Sequence, residues 1–280
     1  MKKDYPIALI AQTLAVSRSG YHAWASGQHQ RRARAEEALR PKLHAAFAAT
    51  RHSYGYPRLT AEPRAQGERV GKARVARLMR EAGLQGRQRG AFRPRTTDSD
   101  HDGPIAPNRL AEVGPIGACD QVWQTDITYL PTGDGWLYLA VVIDAHSKRV
   151  LGRAFSPLLE AGFVIAALRM AIRRRGGCCA PGLLLHSERG VQYASARFRA
   201  QLAAHRLTAS MSRRGNCYDN ARAEAFFSTL KLELVYRHDF QDHEHARRIV
   251  FEWIEAFYNL RRRHSAIGNL SPVDFENQQN

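Results

Sequence analysis

The sequence predicts an α/β protein: a mixed five-stranded sheet flanked by helices, preceded by a basic helical region. Three observations carry that prediction. Residues 122–155 read as three successive strands. Behind them, helical periodicity alternates with two short apolar segments, the pattern of helices covering a sheet. Positive charge is concentrated at the front, where residues 1–112 carry a net +11 against +5 for residues 113–280.

The front elements come in order. Ile7, Ile10, Leu14, Val16, Tyr21 and Trp24 recur at helical spacing with a break near residue 15, and Ser17 is placed to cap a second helix. Residues 1–30 therefore read as a helix–turn–helix-like segment, the shape that sets a helix into a DNA groove. Residues 31–92 form a basic helical region. In it a helix over 35–50 presents Leu39, Leu43, Ala46 and Phe47, and residues 58–66 are helical. Residues 72–82 bury Val75, Leu78 and Met79, and Gly83 terminates that helix. Arg74, Arg77 and Arg80 share one face, a candidate for phosphate contact. Pro63 conflicts with this pattern, because a proline inside a helix costs about 3 kcal/mol. Either the helix ends there or this copy is damaged. Residues 93–115, RPRTTDSDHDGPIAPNRLAEVGP, lack periodicity and read as a linker.

Residues 116–276 form the core domain. VWQTDITYL over 122–130 alternates as a strand, with Trp123, Ile127 and Tyr129 on one face and Gln124, Asp126 and Thr128 on the other. Gly133, Asp134 and Gly135 signal a turn. Residues 136–143 are continuously apolar, which suits a strand covered on both faces. A third strand follows at 148–155, a helix at 160–175, a strand at 183–186, a helix at 196–205 and a strand at 207–212. Two long helices at 219–236 and 242–260 complete the domain.

Composition narrows the function. The chain has 280 residues, 42 Lys and Arg, 26 Asp and Glu, and a formal net charge of +16, which points to a polyanionic partner such as nucleic acid. Its 44% hydrophobic content supports a packed core, and its longest apolar run falls far short of a membrane span. Cys119, Cys178, Cys179 and Cys217 have no zinc or disulfide spacing and read as free thiols in a reducing cytoplasm.

Three acids stand where chemistry can use them. Asp126 lies mid-strand among apolar neighbours, a costly place for an unpaired charge. Glu188 lies just past the fourth strand, in HSERGVQY, and Glu224 lies in the first turns of the helix that follows the fifth. Lys231 falls on the same ridge as Glu224. Three carboxylates gathered at one sheet edge suit Mg²⁺, which prefers oxygen ligands, and a pair of such ions suits phosphodiester displacement. His238, His243 and His245, beside Asp239, Asp242 and Glu244, read as a polar helix start. Arg261, Arg262 and Arg263 read as a solvated run or as a contact to DNA or another subunit.

The segments VWQTDITYL, HSERGVQY, SMSRRGNCYDNARAEAFFSTLK and YNLRRRHSAIGNLSP resemble the second-reading-frame transposase of IS-three-type insertion sequences, within the retroviral-integrase superfamily. The resemblance spans nearly the whole chain, including a helix–turn–helix-like region around YGYPRL. The family carries Asp, Asp and Glu with 35 residues between the last two, the spacing that separates Glu188 from Glu224 here. The resemblance implies an RNase H-like fold and two Mg²⁺ ions, for which Mn²⁺ can substitute. It implies DNA strand cleavage by water, then strand transfer by the released 3′-hydroxyl at insertion-sequence ends, with no covalent enzyme intermediate. Asp126, Glu188 and Glu224 would be the catalytic and metal-holding residues, with Asp126 shared between both ions. Lys231, Arg213 and Arg214 would touch DNA. The partners implied are transposon-end and target DNA and the first-reading-frame product, joined as a frameshift fusion. The enzyme would act as a homo-oligomer on DNA in the bacterial cytoplasm at the nucleoid.

One departure stands out. The family has Asp where this chain has Glu188. The extra methylene moves the carboxylate by about 1–1.5 Å, and a misplacement near 1 Å costs on the order of a hundredfold in rate. An enzyme impaired at this position is one expectation. A catalytically inactive DNA-binding regulator of transposition is the alternative.

Overall fold

The computed structural model describes residues 5–86, 103–213 and 220–279. The chain divides into two compact units, residues 1–86 and 87–280.

The first unit is helical. α1 (Ile7–Thr13) and α2 (Arg18–Ala25) form the expected pair, and Ser17 caps α2 by accepting from the Gly20 N–H at 3.0 Å. Their apolar stripe is not buried, however: Leu14 is 65% and Trp24 71% exposed, and Ala11 is the one buried residue of the pair. Two helices this short cannot cover each other's apolar face. α3 (Gln28–Ala49) begins seven residues earlier than the periodicity indicates and carries Pro41 in its interior. Leu39, Leu43 and Phe47 of α3 pack with Tyr54, Leu59, Val70, Val75, Leu78 and Met79 into one cluster, and this burial offsets the proline.

The helix expected over 58–66 is two pieces, α4 (Tyr56–Leu59) and α5 (Ala61–Ala65), and this accounts for Pro63. Thr60 is the cap of α5, so Pro63 is its third residue, within the first turn, where the backbone N–H has no partner inside the helix. Its carbonyl accepts from Gln66 and Glu68. Pro63 is thus no sign of damage. α6 (Lys72–Glu81) follows and buries the expected Val75, Leu78 and Met79.

The second unit is built on one mixed sheet of order β3-β2-β1-β4-β5. β1 (Val122–Thr132) and β2 (Gly135–Asp144) form a hairpin across Gly133 and Asp134, and β3 (Val150–Ser156) extends it antiparallel. β4 (Leu184–Ser187) pairs parallel with the first three residues of β1, and β5 (Thr208–Met211) pairs parallel with β4. β1 runs two residues further than its alternation indicates, through Pro131. That proline pairs opposite Trp136 where β4 no longer reaches, so its missing N–H costs no ladder bond.

Helices cover both faces. α7 (Ala161–Arg174), α8 (Val191–Ala194) and α9 (Ala196–Ala204) pack on the face of Trp123, Ala140, Val142 and Leu151. α10 (Ala221–Glu233) and α11 (His243–Glu252) pack on the face of Leu130, Leu139, Val141 and Ile143. The helix expected over 242–260 changes character at Trp253 and continues to Asn259 as a π-helical segment. α12 (Pro272–Asn277) ends the unit. The second half of the segment read as a linker lies on this unit: Leu110 donates its N–H to Ser210 Oγ at 3.2 Å, and Leu110 and Ile116 pack on Val122, Ala145 and Leu184. Among the described residues no helix is long and apolar enough to cross a membrane.

Candidate active site

The register of the hairpin fixes where Asp126 points. Asp126 pairs with Val141, and directly paired residues of an antiparallel ladder share a face. Val141 belongs to the cluster under α10 and α11, so Asp126 faces those helices. Its carboxylate is buried, 7% exposed, and its Oδ1 accepts from the Ile127 N–H at 2.8 Å. Burial raises the carboxyl well above the usual aspartate range. The charge of Glu188 raises it further and that of Glu224 adds to this, while the Ile127 hydrogen bond and the charge of Lys231 act the other way.

Each of those neighbours is delivered by its own element. Glu188 follows the last residue of β4, half-buried, and the parallel pairing of β4 with β1 brings it beside Asp126. Glu224 sits in the first turn of α10, exposed, its N–H donating to the Asn220 carbonyl. Phe226, Phe227 and Leu230 anchor α10 under the sheet and set Glu224 and Lys231 at its margin. The Lys231 Nζ stands 4.5 Å from the centre of the Tyr129 ring, a cation–π contact. Burial lowers the Lys231 ammonium and the Asp126 charge partly restores it. Electrostatically, then, Asp126, Glu188, Glu224 and Lys231 form one group. Among the described residues no three His, Cys, Asp or Glu side chains converge on a single point.

Three residues at this site escaped the sequence reading. Tyr193 on α8 is fully buried, its hydroxyl 3.3 Å from Thr125 Oγ1. Burial pushes its phenol up, as do the charges of Asp126 and Glu188. His186 on β4 is buried between Ser210 at 2.9 Å and Ser212 at 3.0 Å, and so ties β4 to β5 just before Glu188. Tyr129 supplies the ring under Lys231. Sequence gave a signal only for His186, a polar residue inside an apolar strand.

The other candidates are distributed. Arg213 stands exposed just past β5, and Arg214 lies outside the described residues. Arg74 and Arg77 are engaged by acids: Arg77 pairs with Glu36 and, at 2.7 Å, with Glu81, and Arg74 stands 3.7 Å from Glu36. Arg80 is exposed. Arg262 is not solvated but buried, paired with Glu233 at 2.7 Å, because the turn after the π-helical segment folds back onto α10. Asp242 caps α11 through the His245 N–H, so the histidine-rich stretch is a helix start.

A mixed five-stranded sheet of this order, covered by helices on both faces, defines the RNase H-like class. Family models agree. An integrase core domain matches residues 118–217, a second integrase core domain matches 205–272, and an HTH-like domain matches 34–92. The chain is 41% identical over 281 residues to the transposase InsF for insertion sequence IS3A of Escherichia coli K12, covering 98% of this chain and 95% of that one. It is 40% identical over 266 residues to an uncharacterized 31 kDa protein of insertion element IS600 from Shigella sonnei, covering 95% and 97%. Among solved structures it is similar to the catalytic core domain of BIV integrase, with a TM-score of 0.43 and 20% identity over 57% of this chain and 95% of that one. The chain belongs to the IS3 family of insertion-sequence transposases.

Proposed function

We propose that this chain cleaves DNA strands at insertion-sequence ends and transfers them to target DNA, with divalent magnesium as cofactor. The observation that carries this reading is the buried Asp126 carboxylate on the central strand, with Glu188 set beside it by the parallel pairing of β4, an arrangement that raises the Asp126 carboxyl. Buried acidity crowded by two further carboxylates is the electrostatic state that bound divalent cations relieve. The donor set is all oxygen, which fits Mg²⁺ and also Mn²⁺. Asp126, Glu188 and Glu224 would be the residues that hold the ions. When bound, such ions supply Lewis acidity to the attacking and leaving oxygens of a phosphodiester displacement.

The chain's own residues do the rest. The fixed β1 backbone holds Asp126, and the ladder holding β4 beside it sets Glu188 against Asp126. Lys231, braced on Tyr129, faces the phosphates of the terminal nucleotides, and Arg213 and Arg214 grip the strand beside them. Arg80, with Arg74 and Arg77, forms the basic side of the helical unit that holds DNA. The first-reading-frame product, joined by frameshift, and further copies of this chain complete the assembly on transposon-end and target DNA, in the cytoplasm at the nucleoid.

Glu188 makes this copy slow. Its longer side chain displaces one carboxylate by about 1 Å, which costs on the order of a hundredfold in rate. The test is Mg²⁺-dependent nicking of labelled end DNA by the parent chain and by Glu188→Asp, with Glu224→Gln as the inactive control. The expected result is weak nicking by the parent, about a hundredfold gain in Glu188→Asp and none in Glu224→Gln. Equal rates for the parent and Glu188→Asp would overturn the account of Glu188. DNA binding with no nicking by either chain would favour the second reading, a DNA-bound regulator of transposition, which Glu188 itself motivates.

A further inference from the structure

We propose that the groove between α7 and α9 binds the phosphodiester backbone of duplex DNA, as a contact surface separate from the carboxylates. The groove holds about 450 Å³ and is lined by Arg169 and Arg173 of α7 and by Arg197, Ala200 and Gln201 of α9. All three arginines are exposed, and among the described residues none is ion-paired. That sets them apart from Arg153, Arg174 and Arg175 of the same unit, which are held by Glu255 or by Asp120 and Glu276. Arg169 is oriented across the groove by donating its Nε–H to Gln201 Oε1 at 2.9 Å, which leaves its remaining N–H groups for a ligand.

The spacing suits a strand. Arg169 and Arg173 are four residues apart on one helix, about 6 Å along its axis, and Arg197 faces them from the opposite wall. Guanidinium forks bind phosphate oxygens in pairs. Ala166 and Ala200, small and exposed, are the lining residues that leave room for a backbone to approach. The lining has no aromatic anchor of the kind that dominates protein–protein contacts, and a second copy of this chain, at +16, would meet the arginines with like charge.

The location separates this surface from the chemistry. α7 and α9 cover the face of Trp123 and Ala140, whereas Asp126 points to the face under α10 and α11. A duplex in the groove is therefore not the stretch cut by the same subunit. It is a flanking or second duplex, held without sequence preference because backbone contacts carry no base information. This inference takes DNA as the partner from the proposed function but needs none of its cleavage chemistry.

The test is binding of the full chain to a random duplex and to an end-bearing duplex, each of about 30 base pairs, in EDTA across a salt series. Arg169→Gln, Arg173→Gln and Arg197→Gln are made singly and together, with the triple lysine variant as a charge-preserving control. Each arginine contacting a phosphate contributes about 0.9 to the slope of log affinity against log salt. The triple glutamine variant is expected to flatten that slope by about 2.7, equally for both duplexes, and the lysine variant to retain it. Thermal melts monitor folding, and if the triple variant does not fold, the single variants carry the test at about 0.9 each. An unchanged slope would overturn the proposal, as would a loss confined to the end-bearing duplex. A change in the sedimentation of DNA-free protein would instead assign the groove to self-association. Absence of nicking would leave this measurement untouched, so the two readings fail separately.

Discussion

Pro63 shows how a single residue can be misjudged by periodicity. Read as the middle of one helix it is a defect, but with the break at Thr60 it occupies the first turn of α5, where proline's missing N–H has no role. The two views predict opposite signs. A defect would make Pro63→Ala stabilising by about 3 kcal/mol. The observed geometry makes it destabilising by about 1 kcal/mol, because alanine frees the unfolded chain and gives up buried ring atoms. Urea denaturation of the two chains reads the sign directly. The places of Asp126, Glu188 and Glu224 in their elements were legible at this same scale, because a charge within an apolar strand, just past another or in a helix's first turn is conspicuous. Tyr129 under Lys231 and Tyr193 above Thr125 were not, since each contact joins elements far apart in sequence. Arg262 was misread for the same reason: nothing near it in the chain announces Glu233.

Among the elements, the strands were the most legible, because alternation and apolar runs are local consequences of burial on one face or two. β1, β2 and β3 stand within two residues of where their patterns put them, and β4 and β5 within one. Helix limits were less legible. α3 starts early, the helix expected at 58–66 divides, α8 is too short to show a period, and α11 passes into a π-helical segment. In each case tertiary packing decides the boundary. Gly152 shows how closely such packing is set. A Cβ there would lie 2.0 Å from the Ala167 carbonyl oxygen and 2.8 Å from the Ala171 nitrogen, so α7 rests directly on β3. The opposing atoms are backbone and cannot rotate away. Gly152→Ala is therefore expected to cost about 1–3 kcal/mol by forcing α7 off the sheet, measured as a lowered urea midpoint with an unchanged m-value.

At the scale of the sheet-bearing unit, the sheet is closed by an ion network that draws together distant parts of the chain. Arg175, at the end of α7, pairs with Glu276 of α12 at 2.6 Å and with Asp120, ahead of β1, at 2.9 Å, and stands 3.7 Å from Asp144 at the end of β2. Glu276 also accepts from Arg149 and, at 2.7 Å, from Ser147. Burial pushes the Glu276 carboxyl up, but the hydrogen bonds from Arg175, Arg149 and Ser147 outweigh it, and the net displacement is below the ordinary glutamate range. An acid held lower in the folded than in the unfolded chain adds stability above its unfolded value and loses it as pH falls through its folded value. Glu276→Gln strands two guanidinium groups at a site only 7% exposed, so at neutral pH it is expected to cost about 3–5 kcal/mol. That deficit should begin to narrow as pH drops below about 4.3, the unfolded-chain value, and close at lower pH, where the folded parent protonates Glu276 and surrenders the same interactions. Thermal melts of both chains from pH 7 to pH 3 would show the converging curves, and a gap constant over that range would mean that Glu276 contributes packing rather than charge.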